Sequence, residues 1–137
     1  MSFNDRVESL WENPKKVNLL ENFLYFITIT DDQNIEYRYV GKARDGSRLK
    51  EYQNNMLKIE ARKDRGKVQG YRTVHFALYN ALKNDWDIKC HPLENCTKEQ
   101  VDELETRRIK ELKCNLNGGK TWRISHMESL VITELMR

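Results

Sequence analysis

The chain reads as an α+β domain, a small three-stranded antiparallel sheet flanked by helices, and three observations predict it. Residues 23–30 (FLYFITIT) and 35–41 are neighbouring runs of aromatic and β-branched residues, parted by the turn-forming Asp31-Asp32-Gln33-Asn34. A third run, 86–93, comes only after two long segments with helical spacing. The rest of the chain carries caps and apolar stripes that suit helices rather than strands. The predicted order is α-ββ-α-α-β-α-α, which segregates strands and helices in the α+β manner.

At the N-terminus, residues 4–12 and 15–22 are predicted as short helices parted by Pro14, which has no amide proton to give inside a helix. The hairpin 23–41 follows. Ser47 is a suitable N-cap for a helix from Arg48 to about Arg62. A basic loop runs from Gly66 to Gly70. Thr73 to Lys83 is a second long helix, with Val74, Ala77, Leu78, Ala81 and Leu82 on one stripe. After the third strand, Thr97 and Gln100 form a capping-box pattern that opens a helix running to about Lys113. Asn117-Gly118-Gly119 ends it, and Ser125 with Glu128 caps a final amphipathic helix.

At 137 residues this is one domain, large enough to bury a core without staples. Apolar residues make up 39% and charged residues 33%, a soluble balance. No apolar run reaches membrane-spanning length, and the N-terminus lacks a basic-then-apolar leader. Three cysteines argue against a disulfide framework and for a reducing, cytoplasmic compartment. The net charge of +3 is unevenly spread. From Glu36 to Arg72 there are eleven Lys/Arg against five Asp/Glu, a local +6 that suits a polyanion such as nucleic acid. A merely solvated helix face is the bland alternative.

Several side chains stand out chemically. Glu105 falls inside an apolar helical stripe between Val101, Ile109 and Leu112, where a carboxylate needs a partner, a proton or a cation. An ion pair with Arg108, its i,i+3 neighbour, is the structural alternative. Arg48 and Tyr52 are i,i+4 on one helix face, and Arg48 sits at the helix start, where a planar guanidinium can meet a phosphate. Tyr25 and Tyr39 lie on the two arms of the hairpin. They share a face only if paired residues have an even sum, as with Ile29 opposite Ile35 or Thr30 opposite Asn34. Thr30 opposite Ile35 would separate them. A phenol can activate water only if a nearby cation such as Lys42 steadies the phenolate. Cys90-His91, Cys96 and Cys114 do not read as a zinc site. Adjacent strand residues point to opposite faces, and no C-x-x-C pair exists.

Taken in order, these residues resemble the GIY-YIG nuclease domain of excision-repair incision subunits, some homing endonucleases and some restriction enzymes. Tyr39-Val40-Gly41-Lys42-Ala43 is similar to the second half-motif. Arg48-Leu49 with Tyr52 is similar to the arginine helix, and Glu105 followed by Ile109-Lys110-Glu111-Leu112 and Asn117 to the metal helix and terminal asparagine. Phe23-Leu24-Tyr25 keeps only the tyrosine of the first half-motif, and the loop from Tyr39 to Arg48 is one residue short. The resemblance spans residues 23–119, with extensions of residues 1–22 and 120–137.

The resemblance implies a Mg²⁺-dependent (or Mn²⁺-dependent) DNA endonuclease of restriction or phage type. Glu105 would hold the metal, and Arg48 would stabilise charge on the phosphate. Tyr25 or Tyr39 would take the water's proton, helped by Lys42. Tyr52 would support that network, and Asn117 would orient its neighbours. Arg44, Lys63, Arg65, Lys67, Arg72 and His75 are the candidate DNA contacts. The terminal helices, through residues such as Leu10, Trp11, Leu130 and Val131, would join a homo-oligomer. The rival reading is a non-catalytic nucleic-acid-binding module that keeps the fold.

Overall fold

A computed structural model describes residues 2–61 and 71–118. The central strand β1 (Phe23–Thr30) is the most apolar of the three, and it is paired on both sides. Strands β2 (Glu36–Ala43) and β3 (Asp87–Asn95) flank it antiparallel, in the order β2-β1-β3. Phe23, Leu24, Tyr25, Ile27 and Ile29 of β1 are fully buried, so this strand is the spine of the core. Helices α1 (Phe3–Glu8), α2 (Ser47–Glu60), α3 (Thr73–Asn84) and α4 (Val101–Glu111) surround the sheet. Among the described residues no helix is long and apolar enough to cross a membrane.

The hairpin joining β1 to β2 is built by one side chain. Asp31 Oδ1 accepts from the amides of Gln33 and Ile35, each at 2.9 Å, and Asn34 takes a left-handed φ of 65°. That five-residue loop sets Thr30 opposite Glu36 and Tyr25 opposite Gly41. Paired residues therefore have an even sum, one step along from the pairs predicted, and Tyr25 and Tyr39 share a face.

The β1–β3 ladder carries a bulge. Register shifts between Leu24 and Tyr25, leaving Leu93 unpaired beside Pro92, a residue that cannot donate to the ladder. Beyond the bulge Glu94 lies opposite Leu24, so it emerges on the same face as Leu24 and Lys42. Helix α4 approaches that face. Arg108 donates to both Glu94 oxygens at 2.7 and 3.0 Å, and Lys42 donates to Asp102 at 2.5 Å.

Three local expectations differ, and one alternative is excluded. Residues 15–22 form no helix, because Asn13 brackets Val17 with two 2.9 Å side-chain bonds and Lys16 turns left-handed at φ 52°. Instead Asn18 N in this segment donates to Asn95 Oδ1 at the end of β3 at 2.9 Å, and just before it Glu12 N donates to Cys90 O on that strand's outer edge at 3.1 Å. Helix α2 begins at Ser47 itself, after Gly46, with Asp45 accepting from the Ser47 amide at 2.9 Å. The Thr97 hydroxyl does accept from the Gln100 amide at 3.2 Å, but a preceding turn delays the regular helix to Val101. Arg108 does not pair with Glu105: its guanidinium is taken by Glu94 and, at 2.6 Å, by Glu111. The predicted loop 66–70 and the helix opened by Ser125 lie outside the described residues.

Val7 and Leu10 are buried within this same domain, although Leu20 stands 88% exposed. Arg6 ties α1 to the end of α3, donating to Leu82 O at 2.7 Å and Trp86 O at 3.2 Å. Such guanidinium bonds satisfy carbonyls that a helix end otherwise leaves unpaired.

Candidate functional site

Three tyrosines from three elements meet on one face of the sheet. Tyr25 on β1 and Tyr39 on β2 face inward together, their ring centroids 6.2 Å apart. From α2, Tyr52 brings its hydroxyl to 2.7 Å from that of Tyr25. Edge-on contacts from Trp11 to Tyr25 and Tyr52, at 5.6 and 5.7 Å, close the cluster from behind. Each such pair adds about 0.5–1.5 kcal/mol beyond simple burial. Trp11 was not a sequence-level candidate for this site. Its single signal was an aromatic beside apolar residues.

A guanidinium completes the arrangement. Arg72 donates through Nη1 to the Tyr39 hydroxyl at 2.7 Å and through Nη2 to the Tyr52 hydroxyl at 3.0 Å. It was predicted to touch DNA, and Lys42 was predicted to serve the tyrosines. In the fold Lys42 projects from the opposite face of β2 toward Asp102, so Arg72 is the cation on the hydroxyls. Alternation along β2 is the reason: residues 39 and 42 differ by an odd number.

His75, also predicted to touch DNA, is only 5% exposed. Its ring stacks on Tyr52 at 5.1 Å, and its Nδ1 accepts from the Arg72 amide at 3.1 Å. That bond places the proton of the neutral ring on Nε2, toward the Asn55 side-chain amide. Burial, then the positive charges of Arg72 and Arg48, push its pKa down to about 4. His75 is therefore neutral at pH 7. Burial, and secondarily the neighbouring Tyr39, push the Tyr25 phenol up to about 12. Burial also holds Tyr52 well above its ordinary value.

Glu105 is half-buried on α4, and no described residue donates a hydrogen bond to it. Desolvation raises its pKa first; Lys42 opposes that, Asp102 adds to it, and Arg72 opposes it from the other side of β2. Lys42, Arg44 and Arg48 line a neighbouring cleft of about 340 Å³ with Asn22, Lys98 and Asp102. Arg48 is 3.6 Å from Glu51, at the helix start. This cleft has the charge and size to receive a phosphate.

Among the described residues no group of three or more His, Cys, Asp or Glu could cage a metal. A carboxylate without donors among the described residues does fit a hard divalent cation that keeps its waters and takes remaining ligands from a phosphate. It does not fit a zinc cage. Cys90 is buried on the tyrosine face, whereas His91 packs against Phe26 on the other.

Asn117 acts on the backbone. Its Oδ1 accepts from Val40 N at 3.1 Å and its Nδ2 donates to Val40 O at 2.8 Å. Asn115 does the same for Arg38 N and Glu36 O, at 2.8 and 3.1 Å, while Leu116 N reaches Arg38 O at 3.0 Å. Residues 115–117 thus cover the free edge of β2, which would otherwise present unpaired groups. The predicted contacts Lys63, Arg65 and Lys67 lie outside the described residues.

No protein-family model, curated protein or solved structure matches the chain.

Proposed function

We propose that this chain is a metal-dependent DNA endonuclease of the GIY-YIG type. One observation carries the reading. The hydroxyls of Tyr25, Tyr39 and Tyr52 and the Arg72 guanidinium form one hydrogen-bonded group, and the half-buried Glu105 carboxylate, to which no described residue donates, lies across β2 from it. A scaffold that needed only packing would gain nothing from a half-buried carboxylate without a donor among the described residues.

Tyr39 is the proton acceptor on grounds of access, since it is 9% exposed while Tyr25 and Tyr52 are at 0% and 1%. Tyr39 first releases its phenolic proton to solvent, leaving a phenolate held by Arg72, and water then loses a proton to that oxygen as the water oxygen bonds to phosphorus. The bond from phosphorus to the leaving sugar oxygen breaks, and that oxygen takes a proton from solvent. Arg48, at the rim of the basic cleft, meets the charge that grows on the phosphate oxygens. Held by Glu105, Mg²⁺ would supply positive charge to the phosphate and to the leaving oxygen. Tyr25 and Tyr52 stay protonated and hold the geometry. Asn117 keeps Val40 and its neighbours Tyr39 and Gly41 in place.

The test is incubation of supercoiled plasmid with the protein, with and without Mg²⁺, beside Glu105→Ala. Mg²⁺-dependent nicking that Glu105→Ala loses supports the reading. DNA binding without cleavage under every condition would assign the non-catalytic module instead.

A further inference from the structure

Arg72 belongs to no motif of the sequence, yet it makes the most specific contacts in the tyrosine cluster. Its fork spans two hydroxyls, and its carbon Cζ lies 5.8 and 5.7 Å from the Tyr39 and Tyr52 ring centroids. Its backbone is fixed as well: the amide donates to His75 Nδ1, and the His75 amide donates to Arg72 O at 2.9 Å. His75 in turn is clamped by its stack on Tyr52. A buried neutral ring that both aims the arginine and stacks on the phenol the arginine touches is a built support, not a chance surface contact.

We infer that Arg72, aimed by His75, is a positioning residue that holds the Tyr39 hydroxyl toward water and steadies its negative charge when a proton leaves. The catalytic part of this inference rests on the nuclease reading; the coupling of Arg72 to the tyrosines does not. The planar fork matters because it holds the Tyr39 and Tyr52 oxygens at a set separation, which a point-like ammonium cannot do. The charged and titratable groups around the hydroxyls are Arg72 and His75 at the start of α3 and Arg48 on α2, with Glu105 on α4 and Lys42 across β2. Of these, Arg72 alone is bonded to the phenol oxygens.

Two measurements separate the parts. Ultraviolet tyrosinate titration of the metal-free protein reads the coupling directly. Arg72→Ala should move the cluster's titration to higher pH by at least about one unit, the effect of removing an adjacent opposite charge. Arg72→Lys should fall between it and the parent, and Arg48→Ala should leave the curve in place. Plasmid cleavage across pH should then drop about 10²-fold at neutral pH in Arg72→Ala and recover as pH rises. Superimposable titration curves for the parent, Arg72→Ala and Arg72→Gln, in folded protein, would overturn the inference. Should Arg72→Ala fail to fold, the Lys and Gln variants decide by the same curves. A shifted titration in a protein whose parent cuts no DNA would sink the nuclease reading and leave the coupling standing.

Discussion

Gly41 stands directly across the β1–β2 ladder from Tyr25, and the phenol of Tyr25 occupies the space a side chain at 41 would need. A Cβ built there would overlap the Tyr25 ring and hydroxyl. The glycine is thus required by a close approach, and its φ is an ordinary extended one. It lets the Tyr25 ring cross β2 and reach Tyr52.

Gly41→Ala should therefore destabilise the fold by about 1–3 kcal/mol, the usual penalty for overpacking a tight core. The urea midpoint reads it. Because the clash is with one ring, the loss should be non-additive with Tyr25→Leu, the double variant being more stable than the two single losses predict. Full additivity would place the cost elsewhere.

Acid should destabilise the protein through His75. In the unfolded chain this imidazole takes its proton near pH 6.5, but in the fold only near pH 4. The unfolded state therefore binds more protons between those values. The stability contributed is present above about pH 6.5 and is lost as pH falls toward 4, about 3 kcal/mol in the limit. His75→Phe keeps the stack on Tyr52 but loses the proton-binding difference. Its unfolding free energy should start lower at neutral pH and then depend less on pH through that window, measured by urea denaturation at stepped pH.

Glu105→Gln should abolish Mg²⁺-dependent cleavage, by at least about 10²-fold, while leaving the fold intact. Its carboxyl titrates above the ordinary range because burial disfavours the charge. The favourable contribution of the protonated form is present below the unfolded pKa and is lost as pH rises through the folded one. Relative to wild type, the glutamine variant should gain stability as pH climbs past that range. A melting-temperature difference that stays constant with pH would argue that this carboxylate is not desolvated.

Asn117→Ala removes both side-chain bonds to Val40. At about 0.5–1.5 kcal/mol per bond, a loss of about 1–3 kcal/mol is expected. The sharper readout is local: amide exchange at Val40 should accelerate more than at Phe26, its partner inside the sheet. Equal acceleration at both would mean global loosening instead of an exposed edge.

Much of the fold was legible because its signals are local. The FLYFITIT run could only be a buried strand, and the Asp31 turn made the hairpin. The α3 stripe also held: Val74, Ala77, Leu78, Ala81 and Leu82 are all buried. The helix expected over 15–22 failed because side-chain bonding by Asn13 offered the backbone a rival to helical bonds. Glu105 was picked out by its stripe, and the ion pair with Arg108 weighed as its alternative reading does not form. Arg108 is long enough to reach another element, and periodicity within one helix says nothing about that element.

By itself, then, the sequence determined the strands and the long helices, since strand alternation and helical period are properties of a few successive residues, while the even parity that sets Tyr25 beside Tyr39 was left open until the hairpin register fixed it. Only the tertiary structure decided which charge serves which group. The bulge at Leu93 turned Glu94 toward α4 and so released Glu105 from Arg108. Packing of α3 against α2 brought Arg72, not Lys42, to the tyrosine hydroxyls. Both outcomes depend on side chains distant in sequence competing for the same few ångströms, and charge pairs are fixed by which of them arrives with the better geometry.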